Sequence, residues 1–293
     1  MEQGKRRAML LVLSCLIFLF SSPQDVRSQA SPARPPASPE MSKAAQRAME
    51  EKQQKLNADL NFAASQGYTA EVGRLIDEGA DVDARDAEAM TPIMQASLMG
   101  HADTVELLVA RNANINLRDI YGATALMEAA WGGHVDIVRM LLNHGADANL
   151  RSSNDLPRLK RKGITALMAS CVNGNLPIAR ALLEGGAQVD ERDDDGLTAL
   201  SYACKYGSLG IVQMLLDRGA STETKDQYGR TPLMIGTIHD HINVIRLLIG
   251  AGANVTAKDK SDMTALSYAE SLGNGQAAVL LKSARREACK RHY

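Results

Sequence analysis

Apolar and polar positions recur along this chain with a period of 33 residues. In each period a first apolar run begins directly after a threonine, and a second apolar run with helical spacing follows it. The threonines are Thr91, Thr124, Thr165, Thr198, Thr231 and Thr264, and the gaps between them are 33, 41, 33, 33 and 33 residues. A fixed period of this size indicates one supersecondary unit stacked on copies of itself, which presents a long surface instead of enclosing a single core.

The first apolar run of each period predicts a short helix. A threonine oxygen can accept hydrogen bonds from the free N–H groups at a helix start, and Pro92 and Pro232 have the φ angle of a first turn. Nine residues after five of the threonines stands a glycine, which favours a left-handed helix end, and Asp240 replaces it once. These glycines are Gly100, Gly133, Gly174, Gly207 and Gly273.

The second apolar run predicts another helix with one buried face, as in Ile137, Val138 and Leu141. It ends at a glycine or, once, at Asn112, and the glycines are Gly145, Gly186, Gly219 and Gly252. The polar stretch that follows carries Asp and Gly at turn spacing, as in Asp119 to Gly122. Each period therefore predicts a helix, a tight turn, a second helix and a projecting finger, and the fold class is an all-α solenoid with β-hairpin-like fingers.

This pattern resembles the ankyrin repeat, which has two helices and a β-turn at period 33 and a Thr-Pro-Leu start such as Thr231 to Leu233. The resemblance covers residues 57–286 in about seven repeats. The units lie near 57–88, 89–121, 122–162 with an inserted loop, 163–195, 196–228, 229–261 and 262–286. The first unit lacks the Thr-Pro start and the last lacks the second glycine, as terminal repeats are expected to depart from the pattern.

The residues outside the repeats predict an exported protein. Lys5, Arg6 and Arg7 precede an apolar stretch, residues 8–20, that is too short to span a membrane but suits a signal peptide. We predict that residues 1–30 are cleaved after Ala30, with an uncleaved membrane tether as the alternative. The remaining predicted segments are a Pro/Ser/Ala-rich linker at 31–41, a polar helix at 42–56 that shields the first repeat or contacts a partner, and a basic tail at 287–293.

Charge argues against nucleic acid as a partner. The chain has 33 Lys and Arg against 34 Asp and Glu, a net charge of −1. Removal of residues 1–30 takes away four basic and two acidic residues and leaves a net charge of −3. Such a chain has no broad positive field to hold phosphates, and we expect no membrane contact after signal cleavage.

The candidate chemical groups recur with the repeat, which favours structural roles. Cys171 and Cys204 occupy equivalent positions in neighbouring repeats, too far apart for a disulfide, and are predicted to be buried free thiols. Cys289 lies in the tail, so we predict a monomer that can form a disulfide dimer through this residue. Three histidines, ten residues after their threonines, are predicted to be structural: His101, His134 and His241. No catalytic, metal or cofactor motif is present, so we predict no enzyme activity, no cofactor and no metal site.

The sequence departs from the ankyrin pattern three residues after four of the threonines, where the family usually has histidine. Methionine stands there instead, at Met94, Met127, Met168 and Met234. We interpret these side chains as core packing, with scavenging of oxidants in an oxidising compartment as the alternative.

The resemblance implies that the fingers and first helices line a concave face on which a partner protein docks. The gap of 41 residues contains an eight-residue insertion that lengthens one finger and carries basic residues. This insertion is either a tolerated loop with no binding role or part of a site for an anionic partner. Trp, Tyr and Arg are favoured at interfaces. The candidate partner-binding residues are Ile120, Tyr121, Trp131, Arg158, Lys160, Arg161, Lys162, Asp194, Asp195, Lys205, Tyr206, Gln227, Tyr228, Arg230 and His239.

The function predicted from these observations is that of an exported, non-enzymatic protein–protein interaction module, periplasmic or secreted as in exported bacterial ankyrin proteins. The alternatives are a factor that protects the cell envelope against oxidants and an accessory partner of a periplasmic enzyme.

Overall fold

The computed structural model of the chain describes residues 43–154 and 161–290. The predicted signal peptide, the linker and the candidate residues Arg158 and Lys160 lie outside these ranges. The repeats form one compact unit, Ala48–Tyr293, and the preceding unit, Met1–Arg47, is described only from Lys43.

The described residues form fourteen helices and no strand. These are α1 (Lys43–Gln66), α2 (Thr69–Asp77), α3 (Pro92–Met99), α4 (Ala102–Ala110), α5 (Ala125–Gly132), α6 (Val135–Asn143), α7 (Ala166–Val172), α8 (Leu176–Glu184), α9 (Ala199–Tyr206), α10 (Leu209–Asp217), α11 (Pro232–Ile238), α12 (Ile242–Gly250), α13 (Ala265–Leu272) and α14 (Gly275–Lys290). Consecutive pairs, from α1–α2 to α13–α14, form repeats 1 to 7, so the expected all-α architecture is confirmed.

The helices pack in two layers. The first helices of repeats 2 to 6, from α3 to α11, each pack on the first helix of the next repeat, and the second helices of repeats 1 to 6, from α2 to α12, do the same. Each first helix of repeats 2 to 7 also packs on the second helix of its own repeat. One continuous apolar cluster runs between the layers from Leu60 to Ala284, because no repeat can bury its apolar faces alone.

The predicted helix starts and ends are confirmed. Five of the six threonines accept a hydrogen bond from the backbone N–H three residues further on, as Thr264 does from Ser267 at 3.1 Å. All five glycines nine residues after a threonine have positive φ, and so do their substitute Asp240 at 55° and the second-helix substitute Asn112 at 63°. Left-handed geometry therefore ends the helices where the sequence pattern places the stops.

Two predicted boundaries fall inside continuous helices and need correction. The polar helix expected at 42–56 is the first part of α1, which runs on through Leu60 because residues 43–66 contain no glycine or proline. In the same way α14 continues beyond residue 286 to Lys290. Ala277, Leu281 and Ala284 keep one buried face along α14, and no break separates residues 287–290 from the last repeat.

Histidines link neighbouring repeats, which confirms their structural role. The Nε2 atom of His134 donates to the carbonyl oxygen of Leu98 at 3.1 Å, and His241 donates to the carbonyl of Lys205 at 3.0 Å. His101 makes the same bond to Ser65 at 3.0 Å. Each bond reaches from the turn between the two helices of one repeat to the first helix of the preceding repeat.

The methionines and cysteines of the first helices are core residues. Met94, Met127, Met168 and Met234 are each at most 1% exposed, which supports core packing over oxidant scavenging. Cys171 and Cys204 are buried free thiols, as predicted. Burial raises the pKa of Cys171 to about 12, because a thiolate is poorly solvated there.

Among the described residues, no helix combines the length and apolar character needed to cross a membrane.

Candidate functional site

The candidate site is the surface formed by the finger tips and by the residues seven and eight positions after each threonine, which we call the inner surface. In repeats 2 to 6 the residues at these two positions are half-buried or exposed, although the residues just before them are buried. Tyr206 and Tyr228 are 40% and 55% exposed, and Ile120 is 45% exposed. Exposed aromatic side chains that no core requires are favoured at protein interfaces.

In five of the six fingers between the repeats, one acidic side chain sets the shape of the turn at the tip. The Oδ1 atom of Asp119 accepts hydrogen bonds from the backbone N–H groups of Tyr121 and Ala123, at 2.9 and 2.7 Å. The aspartates that repeat this arrangement are Asp86, Asp193, Asp226 and Asp259. This local closure presents the finger-tip side chains in the same way in successive repeats.

Backbone hydrogen bonds join the tips of neighbouring fingers, and we call this series the tip ladder. Ile120 N–H donates to Glu88 O at 3.0 Å, Gln227 N–H to Asp195 O at 2.7 Å, and Lys260 N–H to Tyr228 O at 2.9 Å. The tips are therefore held at fixed spacing along the surface.

The inserted loop is anchored to the tip ladder at both of its ends. Before the loop, Ser153 N–H donates to Tyr121 O at 2.9 Å, and after it Asp194 N–H donates to Lys162 O at 3.2 Å. Ser152 replaces the turn aspartate, and its hydroxyl accepts from Ile164 N–H at 3.0 Å. The residues on either side of the insertion thus keep the bonds that preserve the regular spacing of the stack.

The predicted basic residue Arg161 joins the end of this loop to the next finger. Its guanidinium makes an ion pair with Asp195 and lies 3.8 Å from the buried carboxylate of Asp193. Asp193 also accepts a 2.7 Å hydrogen bond from the buried hydroxyl of Tyr202. Burial raises the pKa of Asp193, although the bond from Tyr202 and the charge of Arg161 oppose that shift. Arg161 is therefore partly structural, and Lys162 beside it is exposed.

Two cation–aromatic pairs lie on the inner surface of repeats 5 and 6. The Nζ atom of Lys205 lies 5.3 Å from the centre of the Tyr206 ring, and the Cζ atom of Arg230 lies 4.7 Å from that of Tyr228. Arg230 is also held by Asp226, with a nitrogen–oxygen distance of 2.7 Å. These contacts orient rings whose outer faces remain exposed.

Predicted site residues from three repeats come together around Lys205. Its pKa is lowered, first by burial and then by the charges of Arg161 and Arg230. The pKa of His239 is also lowered, by burial and by the charges of Lys205, His241 and Arg230.

Contacts between the fingers bring the same groups to one part of the surface. Arg161 reaches the carboxylate of Asp193, which also binds Tyr202, one turn before Lys205 in α9. Asp195, the ion-pair partner of Arg161, accepts the N–H of Gln227 on the finger that carries Arg230. We define Arg161, Lys205 and Arg230 as the cationic cluster, whereas the lowered pKa of His239 favours its neutral form.

The remaining predicted residues lie apart from this cluster or have other roles. Ile120 and Tyr121 belong to the finger between repeats 2 and 3, and Tyr121 packs partly on the core. Trp131 is half-buried and packs partly on the core as well. Asp194 makes an ion pair with Arg151 at 2.7 Å. The repeat pattern did not identify this partner, because the insertion separates the two residues in the sequence.

Nothing in the described ranges forms a group of three or more His, Cys, Asp or Glu residues that could hold a metal ion. The pair His239 and His241 instead stacks ring on ring, with centroids 6.3 Å apart.

Comparisons with known proteins agree with the repeat architecture. A family model described as ankyrin repeats (3 copies) matches residues 60–152 and 150–226, and a model described as ankyrin repeat matches residues 228–260. The crystal structure of the human ASB11 ankyrin repeat domain is similar, with a TM-score of 0.66 and 28% sequence identity over 76% of this chain and 96% of that one. Among curated proteins, none matches this sequence. Ankyrin repeats generally mediate protein–protein interaction and are typically not enzymes. Because the family models cover more than half of its residues, this chain belongs to the ankyrin-repeat family.

Proposed function

We propose that this protein is a non-enzymatic binding module whose inner surface holds one partner protein. The observation that supports this most is the exposure of Tyr206 and Tyr228 beside cations that orient them. Large, rigid aromatic groups supply binding area at small cost in side-chain entropy, and tyrosine is enriched among residues that dominate interface energy. The tip ladder fixes the spacing of these groups before binding, which lowers the ordering cost of association.

The test is partner capture with paired variants of the full chain. Tyr206→Ala together with Tyr228→Ala should abolish or strongly reduce recovery of the partner by the immobilised protein from its own source. The control is Val279→Ala on α14, which removes an apolar side chain that is 71% exposed but lies away from the inner surface. Equal recovery by both variants, with unchanged circular dichroism, would reject the inner surface as the binding site.

The protein is exported in this proposal, and residues 1–30 serve as the signal. Support comes from the basic residues Lys5, Arg6 and Arg7 followed by the apolar stretch at 8–20. Intact-mass measurement on protein recovered after expression in a bacterium should give a mature chain that begins at Ser31. A chain that retains residues 1–30 would instead favour a membrane tether.

Protection against oxidants is less well supported as a second function. The methionines that stand three residues after the threonines are buried, so an oxidant would reach them only when the repeats open.

A further inference from the structure

We infer that the cationic cluster of Arg161, Lys205 and Arg230 binds the carboxylates of an acidic segment of the partner protein. This inference rests on the proposed function, since it names the chemistry of what the inner surface holds.

Two of the three groups have counterions within the protein. Arg161 pairs with Asp195, and Arg230 pairs with Asp226. Asp226 is a finger-turn aspartate that also accepts the backbone N–H groups of Tyr228 and Arg230, at 3.0 and 2.8 Å. These guanidiniums are therefore held in place, and each retains N–H groups beyond those that its carboxylate takes.

Lys205 has no such counterion. Within residues 43–154 and 161–290 its ammonium makes no ion pair or hydrogen bond, and its contact is the face of the Tyr206 ring. The side chain is half-buried, and its pKa is lowered by burial and by Arg161 and Arg230. A partly desolvated ammonium beside two guanidiniums is destabilised in the free protein, and an incoming anion would relieve that cost.

The surroundings favour a peptide carboxylate as that anion. Tyr206 and Tyr228 lie beside the cations and give apolar contact area to the rest of a bound segment. Exposed Lys162, next to Arg161, adds a further positive group at the finger that follows the insertion. Because Asp195 and Asp226 already pair with the two arginines, the uncompensated positive charges among the described residues here are those of Lys205 and Lys162, which a carboxylate of the partner would complement.

The test measures binding of fluorescein-labelled peptides to the full chain by fluorescence polarisation at about 50 mM salt, where exposed charges interact over roughly 15 Å. The probes are an octamer of glutamate, the matching octamer of glutamine and an octamer of lysine. The glutamate peptide should bind, and the two controls should not. Absence of glutamate binding, or equal binding of glutamine, would overturn the inference.

Variants then locate the site. Lys205→Gln should weaken binding of the glutamate peptide about tenfold, which corresponds to the loss of one hydrogen-bonded charge pair, whereas Lys205→Arg should retain most of it. The matched control is Lys258→Gln, which removes an exposed lysine on another part of repeat 6 and should change binding little. Equal weakening by Lys205→Gln and Lys258→Gln would show diffuse attraction and overturn the assignment to this cluster.

A second readout separates this inference from the proposed function. Binding of the glutamate peptide should raise the pKa of Lys205, measured by NMR of the lysine side chain, because a neighbouring carboxylate favours the charged form. If partner capture is lost in the Tyr206→Ala, Tyr228→Ala variant but persists in Lys205→Gln, the protein is a binding module whose partner is not recognised through acidic groups. If capture persists in both variants, the proposed function itself fails at this surface.

Discussion

The glycines nine residues after the threonines all meet a requirement of the backbone, and some of them also meet a requirement of space. Gly100 and Gly133 have nearly equal positive φ angles, 86° and 85°. A Cβ atom at Gly100 would lie 2.4 Å from the ring of His134, whereas at Gly133 the nearest atom would be Asn175 Nδ2 at 3.6 Å. The histidine ring of the following repeat therefore uses the space that the missing side chain leaves.

This difference predicts unequal effects of the same substitution. Gly133→Ala should destabilise the protein by about 1–2 kcal/mol, the cost of left-handed backbone for alanine. Gly100→Ala should cost more, because the ring of His134 must also move and lose its bond to Leu98 O. Urea denaturation of both variants measures the two costs. Further truncation of His134 to alanine in the Gly100→Ala chain should cost less than in the wild type, and equal costs would contradict the steric argument.

The buried thiols should be chemically inert in the folded protein. Because burial raises the pKa of Cys171 to about 12, very little reactive thiolate forms at pH 8. Iodoacetamide labelling followed by peptide mapping should modify Cys171 and Cys204 far more slowly in buffer than in urea. Mapping by peptide keeps Cys15 and Cys289 out of the comparison, and native labelling as fast as labelling in urea would contradict burial.

At the scale of the elements, the insertion adds length between two fixed points. Residues Ser153 and Lys162 take the donor and acceptor places that Ile120 and Tyr121 fill in the preceding finger. Removal of residues 154–161 would leave two residues between Ser152 and Gly163, as there are between Asp119 and Gly122.

The deletion of residues 154–161 should therefore fold with unchanged helical circular dichroism. Its melting temperature should fall only by the contribution of the Arg161 ion pairs, which the single variant Arg161→Ala measures separately. For a partly exposed pair this contribution is about 1 kcal/mol. Loss of cooperative unfolding in the deletion, but not in Arg161→Ala, would show that the loop supports the stack.

Helix order, helix ends and the buried methionines could be predicted because the same local signal recurs in each repeat. Two boundaries could not, since α1 and α14 continue where a change of polarity suggested an end and no residue stops either helix. The packing of Trp131 on the core was missed because position after the threonine does not determine ring orientation. The cationic cluster joins groups from different repeats, and the repeat pattern placed each of them without showing that they meet.

In the molecule as a whole, each repeat packs on its sequence neighbours, so stability should depend on position in the stack. Leu215 and Leu281 occupy the same place in α10 and α14, seventeen residues after Thr198 and Thr264, and are 0% and 1% exposed. Repeat 5 packs on repeat 4 and on repeat 6. Among the described residues, repeat 7 packs on repeat 6 alone.

Leu215→Ala and Leu281→Ala should therefore unfold differently, although each removes about 2–5 kcal/mol of local packing. The change in repeat 5 should lower the midpoint of the main urea transition. The change in repeat 7 should produce an early step limited to α13 and α14, which hydrogen exchange would detect as loss of protection there alone. One shared transition for both variants would contradict this modular behaviour.

The tip ladder also determines how the protein should respond to mechanical load. Because only one or two backbone hydrogen bonds join each finger tip to the next among the described residues, a chain pulled from its ends should yield repeat by repeat instead of rupturing at once. Each released repeat of 33 residues adds about 110 Å of extended chain, at about 3.4 Å per residue. The repeat that carries the insertion has 41 residues, so one extension step should be about 27 Å longer than the others and would mark that repeat in a single-molecule force trace.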